Sequence, residues 1–158
     1  MDRILLLNGP NLNMLGQREP ELYGEQTLPE IEEDLKNKAK TAGYELEARQ
    51  SNSEAELITW IQQAPAAGYS CILLNAGGLT HSSVSLRDAI AAVKAPTIEV
   101  HLTNIYRREP FRQQSLLSDV ALGVVAGFGP FTYELALNAA CDYLSNQPSG
   151  ENQNHGHS

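Results

Sequence analysis

Short apolar runs at residues 4–7, 71–74, 97–100 and 120–125 punctuate this chain, and between them lie longer stretches whose apolar residues recur every three or four positions. Runs of four to six suit strands; the three-to-four spacing suits helices that lay one face on a sheet. The four runs are largely uninterrupted by polar residues, so strands buried on both faces are expected there. "YELEAR", from Tyr44, alternates instead and predicts a fifth strand. Thr27 with Glu30 and Ser53 with Glu56 are capping-box pairs that open helices over 28–42 and 55–64, and further helices fit 83–93 and 131–144. The order βαβαβαβαβα implies right-handed crossovers and a parallel sheet covered on both faces, an open doubly wound α/β fold. An eight-stranded barrel would need a longer chain. A single domain is expected over 1–144, followed by a polar, Gly- and Pro-containing tail, 145–158, that should be disordered with its two histidines solvated.

Composition narrows the function more than the fold. With 158 residues, 42% of them apolar, the chain can bury about two thirds of its unfolded surface. A net charge of −8 argues against nucleic acid or an anionic membrane as partner, because phosphate binding needs clustered Lys and Arg. The first apolar run is too short for a signal-peptide core and no later one spans a bilayer, so a soluble, non-exported, cytoplasmic protein is expected. Cys71 and Cys141 sit among apolar neighbours, where reduced thiols act as small hydrophobes, and without a CxxC or Cys/His cluster no metal or redox centre is expected.

In a doubly wound sheet, ligands bind beyond the carboxyl ends of the strands, where strand order reverses. The segments that emerge there are "NGPNLNMLGQREPELYG", "NAGGLTHSS" and "EVHLTN", the last followed by the cationic "IYRREPFRQQS". Glu99 and His101, two apart, point to the same face of a strand expected to be buried. A carboxylate beside an imidazole fixes its tautomer and raises its affinity for a proton, as a general acid or base requires; a structural ion pair at a strand end fits the same pattern. Asn75, two glycines, Thr80 and His81 offer donors and acceptors to a polyhydroxylated small molecule, although Asn75 could equally close a turn and Ser82 or Ser83 cap the next helix. Arg87 and Asp88 on that helix fit solvated positions or a subunit contact. Arg107, Arg108 and Arg112 suit a small anion, or simply balance an acidic surface. Arg18 and Tyr23 lie five apart in a segment bounded by Gly16 and Gly24 and broken by Pro20, a spacing that neither helix nor strand explains. A guanidinium beside a phenol favours the phenolate, so the segment could be a lid carrying a base and its activator, or an ordinary surface loop.

Together "NGPNLNMLGQREPELYG", "NAGGLTHSSVSLRDA", "EVHLTN", "REPFRQQS" and "GVVAGFGPFTYELAL" resemble type II 3-dehydroquinate dehydratase, in order and over about residues 4–144. The resemblance implies a flavodoxin-like five-stranded sheet. It also implies a cofactor-free dehydration of 3-dehydroquinate to 3-dehydroshikimate, in the shikimate pathway, by anti elimination through an enolate. Carried over by position, Tyr23 is the base, Arg18 lowers its pKa, His101 oriented by Glu99 protonates the departing hydroxyl, and Asn13 helps hold the polar network at the enolate oxygen. Asn75 and the backbone N–H groups of Leu102 and Thr103 would meet the substrate carboxylate, and His81 and Arg112 the ring hydroxyls. Asp88 would reach the site of a neighbouring subunit, within trimers that assemble into a homododecamer.

The unrelated type I enzyme needs a Schiff-base lysine, and Lys36, Lys38, Lys40 and Lys94 lie on or next to expected helices, away from the strand ends. Three loop residues depart from the family pattern: Ala76, Gly78 and Leu79 stand where Pro, Ala and Tyr are common, which should loosen the loop. Tyr106 also replaces a frequent histidine, and "GPF" at 129–131 differs from the usual glycine-rich turn. A nucleotide-binding module of the same fold would need a GxGxxG or a P-loop lysine after Leu7, and a receiver domain an Asp where Asn8 stands; neither is present. An inactive homologue with the same residues is separated from an enzyme only by an activity measurement.

Overall fold

In the computed structural model, which describes residues 1–17 and 19–148, the five expected strands and the four placed helices follow in order, but the strict strand–helix alternation fails between the last two strands, which are joined by the short 3-10 turns Ile105–Arg107 and Pro110–Arg112 instead of an α-helix. Arg18, the Tyr23 side chain and residues 149–158, with both tail histidines, lie outside the described residues. Five strands, β1 (Arg3–Asn8), β2 (Glu45–Gln50), β3 (Tyr69–Asn75), β4 (Thr97–His101) and β5 (Gly123–Ala126), form one parallel sheet in the order β2-β1-β3-β4-β5. A short helix, α1 (Pro20–Tyr23), precedes the four long ones: α2 (Leu28–Thr41), α3 (Glu54–Gln63), α4 (Val84–Ala92) and α5 (Phe131–Ser145). No described helix is long and apolar enough to cross a membrane.

The pleat divides the core into two layers. Ile4 and Leu6 of β1 pack with Cys71 and Leu73 of β3 against α2 and α5, whereas Leu5, Leu7, Ile72 and Leu74 face α3 and α4. Because successive residues are buried on opposite faces, the central strands read as continuous apolar runs. Fully burying a side chain such as Leu5 or Leu73 stabilises the fold by about 1.5–3 kcal/mol. The helix starts follow the capping signals: Thr27 Oγ1 accepts from Glu30 N–H at 3.4 Å and donates to the Glu30 carboxylate at 2.8 Å, and Ser53 Oγ accepts from Glu56 N–H at 3.2 Å.

The fifth strand corrects two expectations. It begins at Gly123 rather than residue 120, because Val120 packs toward the layer formed by α3 and α4, and Leu122 N–H is held by the Thr97 carbonyl at 2.7 Å. It is also an edge strand covered unevenly: Val124 is 48% exposed in the single chain, so burial on both faces belongs to β1, β3 and β4 alone. At the other end, α5 continues through Ser145, one residue past the expected end of the domain.

Candidate active site

Strand order reverses between β1 and β3, and the chains leaving these two strands diverge around a cleft. Register sets Gln50, Asn8 and Asn75 side by side at its base. The two exits touch so closely that a Cβ on Gly9 would lie 2.5 Å from the Ala76 carbonyl oxygen, and one on Gly77, whose φ is +59°, would lie 2.9 Å from the Pro10 carbonyl oxygen. Only glycine permits that approach.

Above this junction lies a cavity of about 230 Å³, walled by residues between Pro10 and Leu15, by Asn75, Gly77, Gly78 and His81 of the chain leaving β3, and by residues between His101 and Arg112 in the chain that follows β4. Six of the residues expected at a site meet there: Asn75, His81, His101, Leu102, Thr103 and Arg112. Arg108, from the same cationic segment, lines it as well. No lysine is among the described lining residues. The four lysines instead sit on α2 or just after α4, and Lys38 is engaged by Asp34 at 2.8 Å and Glu134 at 3.2 Å.

Glu99 stands behind His101, one strand position pair removed, and accepts a hydrogen bond from its Nε2. A carboxylate cannot donate, so Nε2 carries the proton and Nδ1 is the nitrogen left for exchange. Ser115 Oγ donates to Glu99 Oε2 at 2.9 Å and Ser118 Oγ to Oε1 at 2.7 Å, so both carboxylate oxygens are satisfied inside the wall. Burial pushes the Glu99 carboxyl up, but the hydrogen bonds from His101, Ser118 and Ser115 and the histidine charge together outweigh it and hold the group below its ordinary value. The pair is therefore an ionised carboxylate orienting an imidazole.

The opposite walls are also fixed from behind. His81 Nδ1 donates to the Gln114 carbonyl at 2.8 Å, which sets its tautomer, and its ring is inclined 21° to that of His101 with centroids 6.4 Å apart. Arg112 spends Nε on Glu109 at 2.8 Å and lies over the Phe111 ring, so its terminal amino groups remain outside that bond. Asn75 Nδ2 donates to the Tyr133 hydroxyl at 3.0 Å, which in turn donates to Asn8 Oδ1, and Asn75 Oδ1 accepts from Gly77 N–H at 3.3 Å. Ser83, not Ser82, caps α4, through Leu86 N–H at 2.9 Å.

Some expected residues stand apart from the cavity. Asn13 is exposed and accepts from Gln50 at the end of β2 at 3.5 Å, on the far side of the turn Leu12–Met14. Asp88 is exposed on α4 and does not line the cavity of its own chain. Arg87 beside it is tied to Asp119 and to the Leu116 carbonyl at 2.9 Å, which makes it a brace for the segment carrying Ser115 and Ser118. Tyr23 ends α1 in a segment whose base is tightly closed, since a Cβ on Gly16 would lie 2.8 Å from the Glu25 carbonyl oxygen. Of the three loop departures, Ala76 is buried at the junction with Gly9, Gly78 lines the cavity and Leu79 packs toward α3 and α4. Sequence reasoning missed Tyr133, Ser115 and Ser118, each a neutral hydroxyl distant in sequence from its partner.

Comparison with known proteins places this geometry. The family model for dehydroquinase class II matches residues 2–141. A 3-dehydroquinate dehydratase of Prochlorococcus marinus is 55% identical over 148 residues, covering 94% of this chain and 99% of the relative. One of Idiomarina loihiensis is 56% identical over 144 residues, covering 91% of this chain and 95% of the relative. The crystal structure of a type II dehydroquinase from Butyrivibrio crossotus superposes with a TM-score of 0.85 at 38% identity, covering 87% of this chain and 96% of that one.

Proposed function

The chain belongs to the class II dehydroquinase family and has the activity of a 3-dehydroquinate dehydratase, and from this premise we propose that the cavity beside His101 carries out the reaction by acid–base elimination through an enolate. The observation that carries the reading is the buried Glu99–His101 pair, whose imidazole enters a cavity that Asn75, His81, Arg108 and Arg112 also line. A proton next to a ketone is weakly acidic, so its removal needs a strong base, and the developing oxyanion needs donors already in place.

Tyr23, as phenolate, takes that proton and leaves an enolate. The neighbouring Arg18 guanidinium favours the phenolate, and closure of the segment between Gly16 and Gly24 brings base and activator over the substrate while excluding water. The enolate then collapses, the carbon–oxygen bond to the adjacent hydroxyl breaks, and that hydroxyl leaves as water with a proton from His101. Glu99 stabilises the imidazole in its protonated state before transfer and holds its orientation afterwards. Atoms balance without a cofactor: one proton goes to Tyr23, one comes from His101, and water is lost.

Asn75 and the N–H groups of Leu102 and Thr103 hold the substrate carboxylate, and His81 and Arg112 hold ring hydroxyls. Asn13, reached through Gln50, supports the polar network at the enolate oxygen. Asp88, exposed and outside the lining of its own cavity, serves the cavity of a neighbouring subunit in trimers that build a homododecamer in the cytoplasm. The test is absorbance of the conjugated enone product during incubation with 3-dehydroquinate, with and without borohydride. Turnover that survives borohydride supports elimination without a Schiff base, whereas an inert folded protein, or one inactivated by borohydride, contradicts it.

A further inference from the structure

Tyr133, on the first turn of α5, is fully buried, yet its hydroxyl reaches the carboxyl ends of β1 and β3 across 125 and 58 residues of chain. We infer that Tyr133 is a positioning residue that holds the Asn75 carboxamide with its amino end toward the cavity, and so sets affinity for the substrate carboxylate. The inference rests on the assignment of Asn75 to that carboxylate in the function proposed above.

Hydrogen-bond polarity carries it. The Gly77 N–H can only donate, so the Asn75 oxygen must face it, at 3.3 Å. That puts Asn75 Nδ2 against the Tyr133 oxygen, at 3.0 Å, which therefore accepts. The single Tyr133 proton is left for Asn8 Oδ1, its other partner. Burial pushes the phenol up from its ordinary value, which keeps that proton in place. Of the two hydrogens on Asn75 Nδ2, one is thus used and the other belongs to a cavity-lining residue as a donor. The two ends of a carboxamide have nearly the same shape, so sterics alone would not choose between them. A turned carboxamide would meet the substrate carboxylate with its own carbonyl oxygen, oxygen against oxygen.

The carboxylate is carried by the carbon that loses the hydroxyl but keeps its charge throughout, so a hydrogen bond to it made alike in ground state and transition state is uniform binding, and its loss should appear in KM rather than kcat. Steady-state kinetics with 3-dehydroquinate on wild type, Tyr133→Phe, Asn75→Ala and the double variant decides the matter. Tyr133→Phe should raise KM about tenfold, as loss of a hydrogen bond to a charged group does, with kcat changed less than about twofold. The double variant should be no worse than Asn75→Ala, because Tyr133 acts through Asn75. An unchanged KM in Tyr133→Phe, or losses that add to those of Asn75→Ala, would overturn the inference. A normal KM in Asn75→Ala would also overturn it, but through the carboxylate assignment rather than through Tyr133. Should Tyr133→Phe fail to fold, Asn8→Ala removes the acceptor of the same proton without lining the cavity, and predicts the same rise in KM; an unchanged value there contradicts the chain of bonds.

Discussion

Glu99 and His101 share one face of β4 and are joined by a hydrogen bond in a wall that admits almost no solvent, Glu99 being 1% and His101 5% exposed. An isolated carboxylate so placed would be strongly disfavoured; three donors make it stable as an anion. The fold therefore favours ionised Glu99, and that preference has a measurable consequence in acid.

A carboxyl whose folded value lies below its ordinary 4.5 stabilises the protein above that pH, and this contribution is lost as pH falls through the folded value. Glu99→Gln removes it. The variant should melt below wild type at neutral pH, with a deficit of about 1–3 kcal/mol, and the gap should narrow as pH drops below about 4.5. Thermal melts from neutral pH into that range check the sign; a gap that widens in acid would contradict it.

Ser118 contributes one of those donors and does little else by side chain, whereas Ser115 Oγ also accepts from the N–H groups of Leu117 and Ser118. Ser118→Ala should raise the folded-state value of Glu99, move acid unfolding to higher pH and lower kcat severalfold, at a stability loss of about 1 kcal/mol. Acid titration followed by circular dichroism, beside steady-state rates, measures both effects.

Gly9 and Gly78 make a paired test of the junction beneath the cavity. A Cβ at Gly9 would press on the Ala76 backbone at 2.5 Å, while one at Gly78 meets no described atom within 4 Å. Gly9→Ala should destabilise by about 1–3 kcal/mol, lowering Tm by roughly 5 °C, and Gly78→Ala should leave Tm nearly unchanged. Calorimetry on both variants checks it, and equal effects would mean that the two strand exits are not packed as described.

Much of this architecture is written in local pattern. Uninterrupted apolar runs announce the strands buried on both faces, capping residues announce α2 and α3, and the two-residue spacing of Glu99 and His101 announces the pair. Where the pattern misled, at residues 120–122, an apolar run served loop packing rather than a strand, because the same composition buries Val120 without a ladder. The supports of the site were invisible for another reason. Ser115 and Ser118 reach Glu99 from 16 and 19 residues away, and Tyr133 reaches Asn8 from 125, so only the folded topology brings these hydroxyls to their partners. Arg18 and the Tyr23 side chain stand out in the sequence by a spacing that secondary structure does not use, and their roles rest on chemistry and on family membership.

The most direct test of the elimination mechanism is the turnover rate of Tyr23→Phe against wild type under saturating 3-dehydroquinate, followed by enone absorbance. Loss of a positioned base predicts a fall in kcat of about 10²–10⁴-fold in a variant that keeps its fold and still binds substrate. A Tyr23→Phe enzyme that turns over at the wild-type rate would contradict the assignment of the base, and with it the lid that carries it.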